Sequence, residues 1–117
     1  MARFAVLKSN TEFRTLYYRG RAFVHPAVIT YVRKSRLKDE NGQPLVRMGI
    51  TTGKKVGKAV KRSRCRRIIR AAYAAVYPEI SGGWDIVFVA RARMLSMKST
   101  ELLPILRRQL KEAGVVV

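Results

Sequence analysis

Half of the residues between positions 53 and 70 are cationic, and this stretch has the clearest capacity for chemistry. Nine of its eighteen side chains are Lys or Arg and none is acidic, and acids are absent from position 41 to position 78. Helices that merely face solvent usually carry acidic residues four positions from their cations. A segment with nine cations and no acid is repulsive in itself, so it is unfavourable unless an anion binds to it. The pattern predicts a segment that neutralises nucleic-acid phosphates, with a merely solvated helix face as the less favoured alternative.

A loop and a helix make up this stretch. Gly53 and Gly57 bound a basic loop in which the backbone can approach a phosphate without an intervening side chain. A helix is predicted from about Lys58 to about Tyr77, because apolar residues recur there at three- and four-residue spacing. The apolar stripe consists of Cys65, Ile68, Ile69, Ala72, Tyr73 and Val76.

The cations of this helix fall into two groups on a helical wheel. Four face away from the apolar stripe: Arg64, Arg66, Arg67 and Arg70. Three lie nearer to it, in the first turns: Lys58, Lys61 and Arg62. We expect the first turns to project beyond the core, so that the second group also reaches solvent.

The composition indicates a folded polyanion binder. The chain has 117 residues, 48% of them hydrophobic, which suits one domain spanning residues 1–117. Its net charge is +18, the electrostatic footprint of a nucleic-acid-binding protein. A membrane surface is the competing polyanion, but no apolar run approaches the roughly 20 residues of a transmembrane span. With no signal-peptide pattern and Cys65 as the single cysteine, we expect a cytoplasmic protein without disulfides.

Residue patterns for catalysis or metal binding are missing from the sequence. The glycines around Lys54 and Lys55 lack the spacing of a phosphate-binding P-loop, and His25 is the only histidine. The seven acids are scattered and form no carboxylate pair, so we expect no metal site, no bound cofactor and no chemistry by this chain alone. The absence of helix-turn-helix and zinc patterns favours RNA over DNA as the ligand.

A short first helix is predicted from its capping residues. Ser9 and Glu12 form a capping box, and the helix runs to about Tyr18 before Gly20 ends it. Three apolar side chains share one face of this helix: Phe13, Leu16 and Tyr17. Spacing alone favours core contacts for them, and the alternative is that one or two are exposed to stack on bases.

Three strands complete the sheet prediction. Residues 22–34 form the first, and residues 45–52 form the second, antiparallel to the first across a polar hairpin loop at 35–44. Residues 84–90 are apolar enough for a strand buried on both faces, and Arg91 and Arg93 then add to the positive surface.

A final helix closes the chain. It begins between positions 99 and 102 and ends at about Ala113, and Pro104 favours the later start because proline is best tolerated in a first turn. The order α-β-β-α-β-α predicts an α+β sandwich, with helices packed on one sheet.

The run GKKVGKAVKRSRCRRIIR at residues 53–70 resembles the signature of the bacterial ribonuclease P protein subunit. In that family a Ser-Lys-Lys-x-Gly-x-Ala-Val loop leads into an Arg-Asn-Arg-x-x-Lys/Arg-Arg-x-x-Arg helix. Residues 13–20 (FRTLYYRG), Tyr31 and residues 85–91 (DIVFVAR) are similar to further family segments, so the resemblance covers nearly the whole chain. Two positions depart from the signature, with Gly53 for its serine and Ser63 for its asparagine.

The resemblance implies a role in removing the 5′ leader of precursor tRNA. In the family, the RNA subunit and its magnesium ions carry the hydrolysis, and the protein binds that RNA and the leader without needing a protein partner. The implied RNA-subunit contacts are Lys54, Lys55, Lys58, Lys61, Arg62, Ser63, Arg64, Arg66, Arg67 and Arg70. The implied leader cleft includes Phe13, Tyr17 and Tyr31. On the strength of the resemblance, we therefore expect these aromatics to be partly exposed rather than buried in the core.

The resemblance also has a consequence for the fold, and two other functions remain as alternatives. The resemblance implies a left-handed βαβ crossover, as in the second domain of small-subunit ribosomal protein five, although right-handed crossovers are the rule. A ribosomal or RNA-chaperone protein without a role in cleavage would be equally basic. A DNA-binding module is the second rival.

Overall fold

The computed structural model describes residues 4–117, and a five-stranded sheet organises them. The strands are β1 (Ala5–Val6), β2 (Arg21–Val24), β3 (Val28–Lys34), β4 (Val46–Thr52) and β5 (Trp84–Ala90). The helices are α1 (Asn10–Arg19), α2 (Ala59–Val76) and α3 (Ser99–Glu112). The strand order is β1-β4-β5-β3-β2. The predicted α+β sandwich is confirmed.

The most apolar strand, β5, occupies the centre of the sheet and is buried on both faces, as predicted. Ile86 and Phe88 face the main core, which α2 and α3 cover, whereas Val87 faces a smaller cluster with Leu7 and Leu16 beneath α1. Alternate residues of a strand point to opposite faces, so this one strand supports both layers of helices.

The prediction that residues 22–34 form one strand is wrong. His25 and Val28 exchange both backbone hydrogen bonds, at 3.0 and 3.2 Å, and close a tight turn at Pro26 and Ala27. Because proline has no N–H to donate, it interrupts the ladder there, and Ala27 donates its N–H to His25 Nδ1 instead. The segment becomes the antiparallel hairpin β2–β3.

The predicted hairpin between the first strand and residues 45–52 is also wrong. β5 lies between β3 and β4, antiparallel to β3 and parallel to β4. Six of the seven residues of β5 are apolar, Asp85 being the exception. Such a strand is best placed in the interior of the sheet, with a neighbour on each edge and cover on both faces, and β5 therefore separates β3 from β4. The sequence also gave no sign of β1, whose two residues are too few for a periodic pattern.

The ends of the helices show where local signals suffice. Ser9 and Glu12 form the predicted capping box of α1, and Gly114, with φ +82°, follows α3 as expected. However, α3 begins at Ser99, so the later start favoured by Pro104 is wrong. The missing proline hydrogen bond is offset by the burial of leucine side chains along the helix, and the buried leucines are Leu102, Leu106 and Leu110.

The parallel strands β4 and β5 are joined through α2. This β-α-β unit is the one to which the implied left-handed crossover refers, and its hand stays a prediction from the resemblance. The unit places the loop after β4 and the start of α2 at the carboxyl end of β4, next to the end of β5 that leads into Arg91.

Candidate nucleic-acid interface

The basic loop is a single short turn anchored by one buried side chain. Lys54–Val56 forms a 3₁₀ turn in which Val56 is buried while Lys54 and Lys55 are exposed. Gly57 has φ +135°, and a Cβ there would approach the side chain of Lys61 to 2.6 Å, so this position requires glycine. Gly53 has an ordinary φ and open space around it, so the serine of the family signature would fit there.

The predicted apolar stripe of α2 is confirmed, since all six of its residues are buried. The exposed surface of the helix is cationic and carries Lys58, Lys61, Arg64, Arg67 and Arg70, with Ser63 exposed among them. The helix begins at Ala59, and its N-cap residue Lys58 makes no side-chain hydrogen bond to the first turn, so the first-turn amides add to the attraction for an anion. This face offers a continuous surface for phosphate groups.

Three arginines of α2 are less free in solvent than the sequence predicted. Arg62 and Arg66 are half-buried, and the Nε of Arg62 is enclosed without a hydrogen-bond partner among residues 4–117. Arg64 is exposed, but its Nε donates to the carbonyl of Leu95 at 3.1 Å. Of the group expected to reach solvent in the first turns, Lys58 and Lys61 are exposed, whereas Arg62 reaches solvent only in part. The turn of residues 92–96 and strand β4 both contact α2.

The three predicted cleft aromatics lie together between α1 and the sheet. Phe13 packs over Gly49, where an added Cβ would come within 2.6 Å of the ring. The rings of Tyr17 and Tyr31 meet edge to face with centroids 4.9 Å apart, and the Tyr17 hydroxyl shares a 2.7 Å hydrogen bond with Thr51 Oγ1. Tyr17 is 36% exposed, and Phe13 and Tyr31 are half-buried. Their partial exposure agrees with the expectation drawn from the resemblance.

A cavity of about 440 Å³ joins this cleft to the basic helix. Its lining residues are Asn10, Phe13, Arg14, Tyr17, Ile50, Thr51, Thr52 and Arg66. Arg66, predicted as a contact for the RNA subunit, thus lies beside the aromatic cleft. Sequence reasoning missed Arg14, although its position between Phe13 and Tyr17 on α1 was a usable signal, and it missed the β4 threonines, for which there was none.

Arg91 and Arg93 meet the basic loop across a second cavity, of about 470 Å³. Both arginines are exposed, and Lys55 faces them from the loop. Val56, Val89 and Ala90 provide an apolar floor. The additional basic surface predicted from sequence therefore continues the cationic face of the loop rather than forming a separate patch.

A triad of charges fixes α1 over the sheet. Arg47 on β4 binds Asp85 on β5 through two hydrogen bonds, of 2.9 and 2.8 Å, and also binds Glu12 on α1. Backbone N–H groups of Lys8 and Ser9 donate to the Glu12 carboxylate at 2.9 and 3.0 Å. These backbone hydrogen bonds, assisted by the charge of Arg47, lower the pKa of Glu12 to about 2.

We expect Glu12→Gln to destabilise the fold by about 1–2 kcal/mol at pH 7, since it removes a charged acceptor. A carboxylate with a lowered pKa contributes stability that is complete above its ordinary pKa of 4.5 and is lost as the pH falls towards 2. The difference in melting temperature between wild type and variant should therefore shrink between pH 5 and pH 2. A constant difference over this range would show that the Glu12 charge does not stabilise the helix.

Other chemical features are few in the part of the chain that the structure describes. Among residues 4–117 there is no group of three or more His, Cys, Asp or Glu side chains that could hold a metal ion. Burial raises the pKa of the Cys65 thiol, which packs in the core. No helix in the described range is long and apolar enough to cross a membrane.

Fold and surface together define a small α+β protein with one continuous cationic face and an adjoining aromatic cleft, which is the class of an RNA-binding protein. The family model described as Ribonuclease P matches residues 1–114. The chain belongs to the ribonuclease P protein family, and it is therefore a protein subunit of ribonuclease P.

Individual relatives agree with this assignment. The chain is 37% identical over 110 residues to the ribonuclease P protein component of Clostridium botulinum (strain Alaska E43 / Type E3), covering 93% of this chain and 88% of the relative. The Staphylococcus aureus RNase P protein matches with a TM-score of 0.76 at 25% identity, over 98% of this chain and 100% of that one. The RNase P protein from Thermotoga maritima shares the fold, with a TM-score of 0.76 at 22% identity over 92% and 96% of the two chains.

Proposed function

We propose that this subunit binds the ribonuclease P RNA through its cationic face and the 5′ leader of precursor tRNA through its aromatic cleft. It thereby assists removal of the leader and formation of the mature 5′ end. The hydrolysis itself is carried by the RNA subunit and its magnesium ions, and the chain contributes binding and orientation.

The observation that carries this proposal is the contact between the two surfaces at Arg66. Its side chain lines the same cavity as Phe13 and Tyr17 while its backbone belongs to the basic helix. An RNA bound along α2 and a single strand lying in the cleft would therefore meet at one residue. This arrangement supports simultaneous contact with the catalytic RNA and its substrate.

The two surfaces suit their proposed ligands for different reasons. Exposed lysine and arginine side chains neutralise phosphates without reading sequence. Half-exposed aromatics in a cleft stack on unpaired bases of any identity. Leaders differ among precursors, so sequence-tolerant binding is what the substrate requires. Ser63, which replaces the family asparagine, keeps a short hydroxyl on the exposed face but has no amide to donate.

A competition experiment tests the RNA-binding part of the proposal. Labelled bacterial ribonuclease P RNA bound to this protein is challenged with the same RNA unlabelled, with a ribosomal RNA fragment and with duplex DNA, all at one salt concentration. We expect efficient displacement by ribonuclease P RNA alone. Equal displacement by the ribosomal fragment would favour a general RNA-chaperone role, and equal displacement by DNA would indicate nonspecific polyanion binding.

A further inference from the structure

A third concavity lies away from the cationic face, between the edge strand β2 and α3. Its volume is about 510 Å³. Its lining residues are Ala22, Phe23, Val24, His25, Pro104, Ile105, Arg108, Gln109 and Glu112. None of these residues belongs to the loop, the basic helix or the aromatic cleft. We refer to this concavity as the β2–α3 groove.

One wall of the β2–α3 groove is the unpaired edge of the sheet. β2 is the last strand of the sheet and pairs with β3 only. His25 and Val28 form a hydrogen-bonded pair, and such pairs alternate with non-hydrogen-bonded pairs along an antiparallel ladder. The register pairs Ala22 with Tyr31 and Val24 with Ile29, so the backbone N–H and C=O groups of Ala22 and Val24 point away from the sheet.

The opposite wall is held in place by a buried amide. Gln109 on α3 is only 6% exposed. Its Nε2 donates to the Phe23 carbonyl at 2.9 Å, and its Oε1 accepts from the Thr30 hydroxyl at 2.6 Å. These bonds fix α3 against the β2–β3 hairpin, so the groove is formed before any ligand arrives and binding needs little ordering of the protein.

The chemistry of the β2–α3 groove suits an extended, acidic polypeptide. Ala22, Pro104 and Ile105 give it apolar surface. Arg108 and Glu112 carry opposite charges, and Arg21, whose guanidinium lies 5.1 Å from the centroid of the Phe23 ring, adds a further cation at the edge of the groove. His25 adds a donor: Nδ1 accepts from the Ala27 N–H at 3.0 Å, so in the neutral ring Nε2 carries the proton. Alternating apolar and acidic side chains could fill such a groove while the main chain pairs with the strand edge.

Two other occupants fit less well. RNA bases need a free aromatic face. Phe23 and His25 in the groove are both half-buried, and Phe23 has the Arg21 guanidinium 5.1 Å from its ring centroid. A second copy of this chain would bring together two molecules of net charge +18, which repel each other. Val24, by contrast, is 70% exposed on the strand edge, where an added strand would cover it.

We propose that the β2–α3 groove is a docking site for an extended acidic segment of a partner protein, which adds to β2 as a further strand and places apolar side chains between β2 and α3. The site is separate from the RNA-binding surfaces, so the partner binds without displacing RNA. The recognition is by main-chain hydrogen bonds along β2 and by charge.

The test uses a fluorescein-labelled synthetic peptide of alternating glutamate and valine and a matched pair of variants. Val24→Ala and Val24→Pro both remove the valine side chain, but only proline removes the outward N–H, and it does so without breaking a bond to β3. Fluorescence anisotropy should show binding by Val24→Ala and about five- to tenfold weaker binding by Val24→Pro, as expected for one lost hydrogen bond. Equal binding by the two variants, with both melting like wild type, would overturn the proposal.

A second measurement on the wild-type protein needs no variant to fold. Peptide titration followed by amide NMR should shift the resonances of Ala22 and Val24 and leave those of the α2 arginines in place. Shifts confined to α2 would contradict the proposal, because they would mean simple charge attraction. Stronger shifts of Ala22 and Val24 by oligouridine than by the peptide would also contradict it and would make the groove an RNA surface.

Discussion

Replacing Arg67 and Arg70 together by alanine should lower the affinity for ribonuclease P RNA by about ten- to hundredfold and flatten its salt dependence by roughly two ions. Both side chains are exposed on α2, and neither makes a hydrogen bond or ion pair within residues 4–117. Their loss should therefore leave the stability of the fold unchanged. Filter binding over a series of salt concentrations measures both quantities.

A control with the same change of net charge separates local contact from overall attraction. Arg108 and Lys111 are exposed on α3, away from the cationic face, and their joint replacement by alanine also removes two positive charges. We expect this control to bind nearly like wild type. If both double variants lose affinity equally, the RNA responds to total charge, and α2 is not the specific interface.

Tyr17→Ala should weaken binding of precursor tRNA to the holoenzyme by about tenfold or more, while binding of mature tRNA stays unchanged. The expected size follows from the loss of one aromatic stacking contact with a base. Tyr17 is the most exposed of the three cleft aromatics, and its ring contacts that of Tyr31. Its removal therefore takes away one stacking surface for a base and leaves the Tyr31 ring less firmly held. The measurement is the ratio of the dissociation constants for the two RNAs.

Tyr17→Phe provides the matched control for that experiment. It keeps the ring against Tyr31 and loses only the hydrogen bond to Thr51 Oγ1. Precursor binding should stay within about twofold to fivefold of wild type, the range of one exposed hydrogen bond. Equal weakening of both RNAs by Tyr17→Ala, or a large fall in its melting temperature, would assign Tyr17 to structural support rather than to leader binding.

Local patterns in the sequence were sufficient to predict those features of a helix that depend only on its own residues. The spacing of Cys65, Ile68 and Ile69 identified the buried side of α2, and Ser9 with Glu12 identified the start of α1, because both depend only on neighbours within a turn or two. The family signature falls within these well-determined segments, which explains why it was readable.

The features that the sequence did not predict, namely the strand order and the positions of Arg62 and Arg66, depend on interactions between distant segments. The insertion of β5 between β3 and β4 depends on competition among strands for the centre of the sheet, which no single strand encodes. Arg66 reaches the aromatic cleft only because α2 starts beside the end of β4, where Thr51 and Thr52 lie. Arg62 is likewise less exposed than the expected projection of the first turns implied, and its Nε is enclosed.

The proposals for the β2–α3 groove and for the cationic face can be tested independently of each other. Variants on α2 should change RNA affinity without affecting an acidic peptide at β2, and Val24→Pro should do the reverse. This separation allows each proposal to fail without the other.

The most direct measurement is cleavage of precursor tRNA by a bacterial ribonuclease P RNA at low magnesium concentration, with and without this protein. We predict that the RNA alone cleaves slowly under these conditions and that the protein restores cleavage at the mature 5′ end. If the protein binds the RNA and the cleavage rate stays unchanged, the proposed assistance in leader removal is contradicted, and Ser63 in place of the family asparagine is the first position to restore.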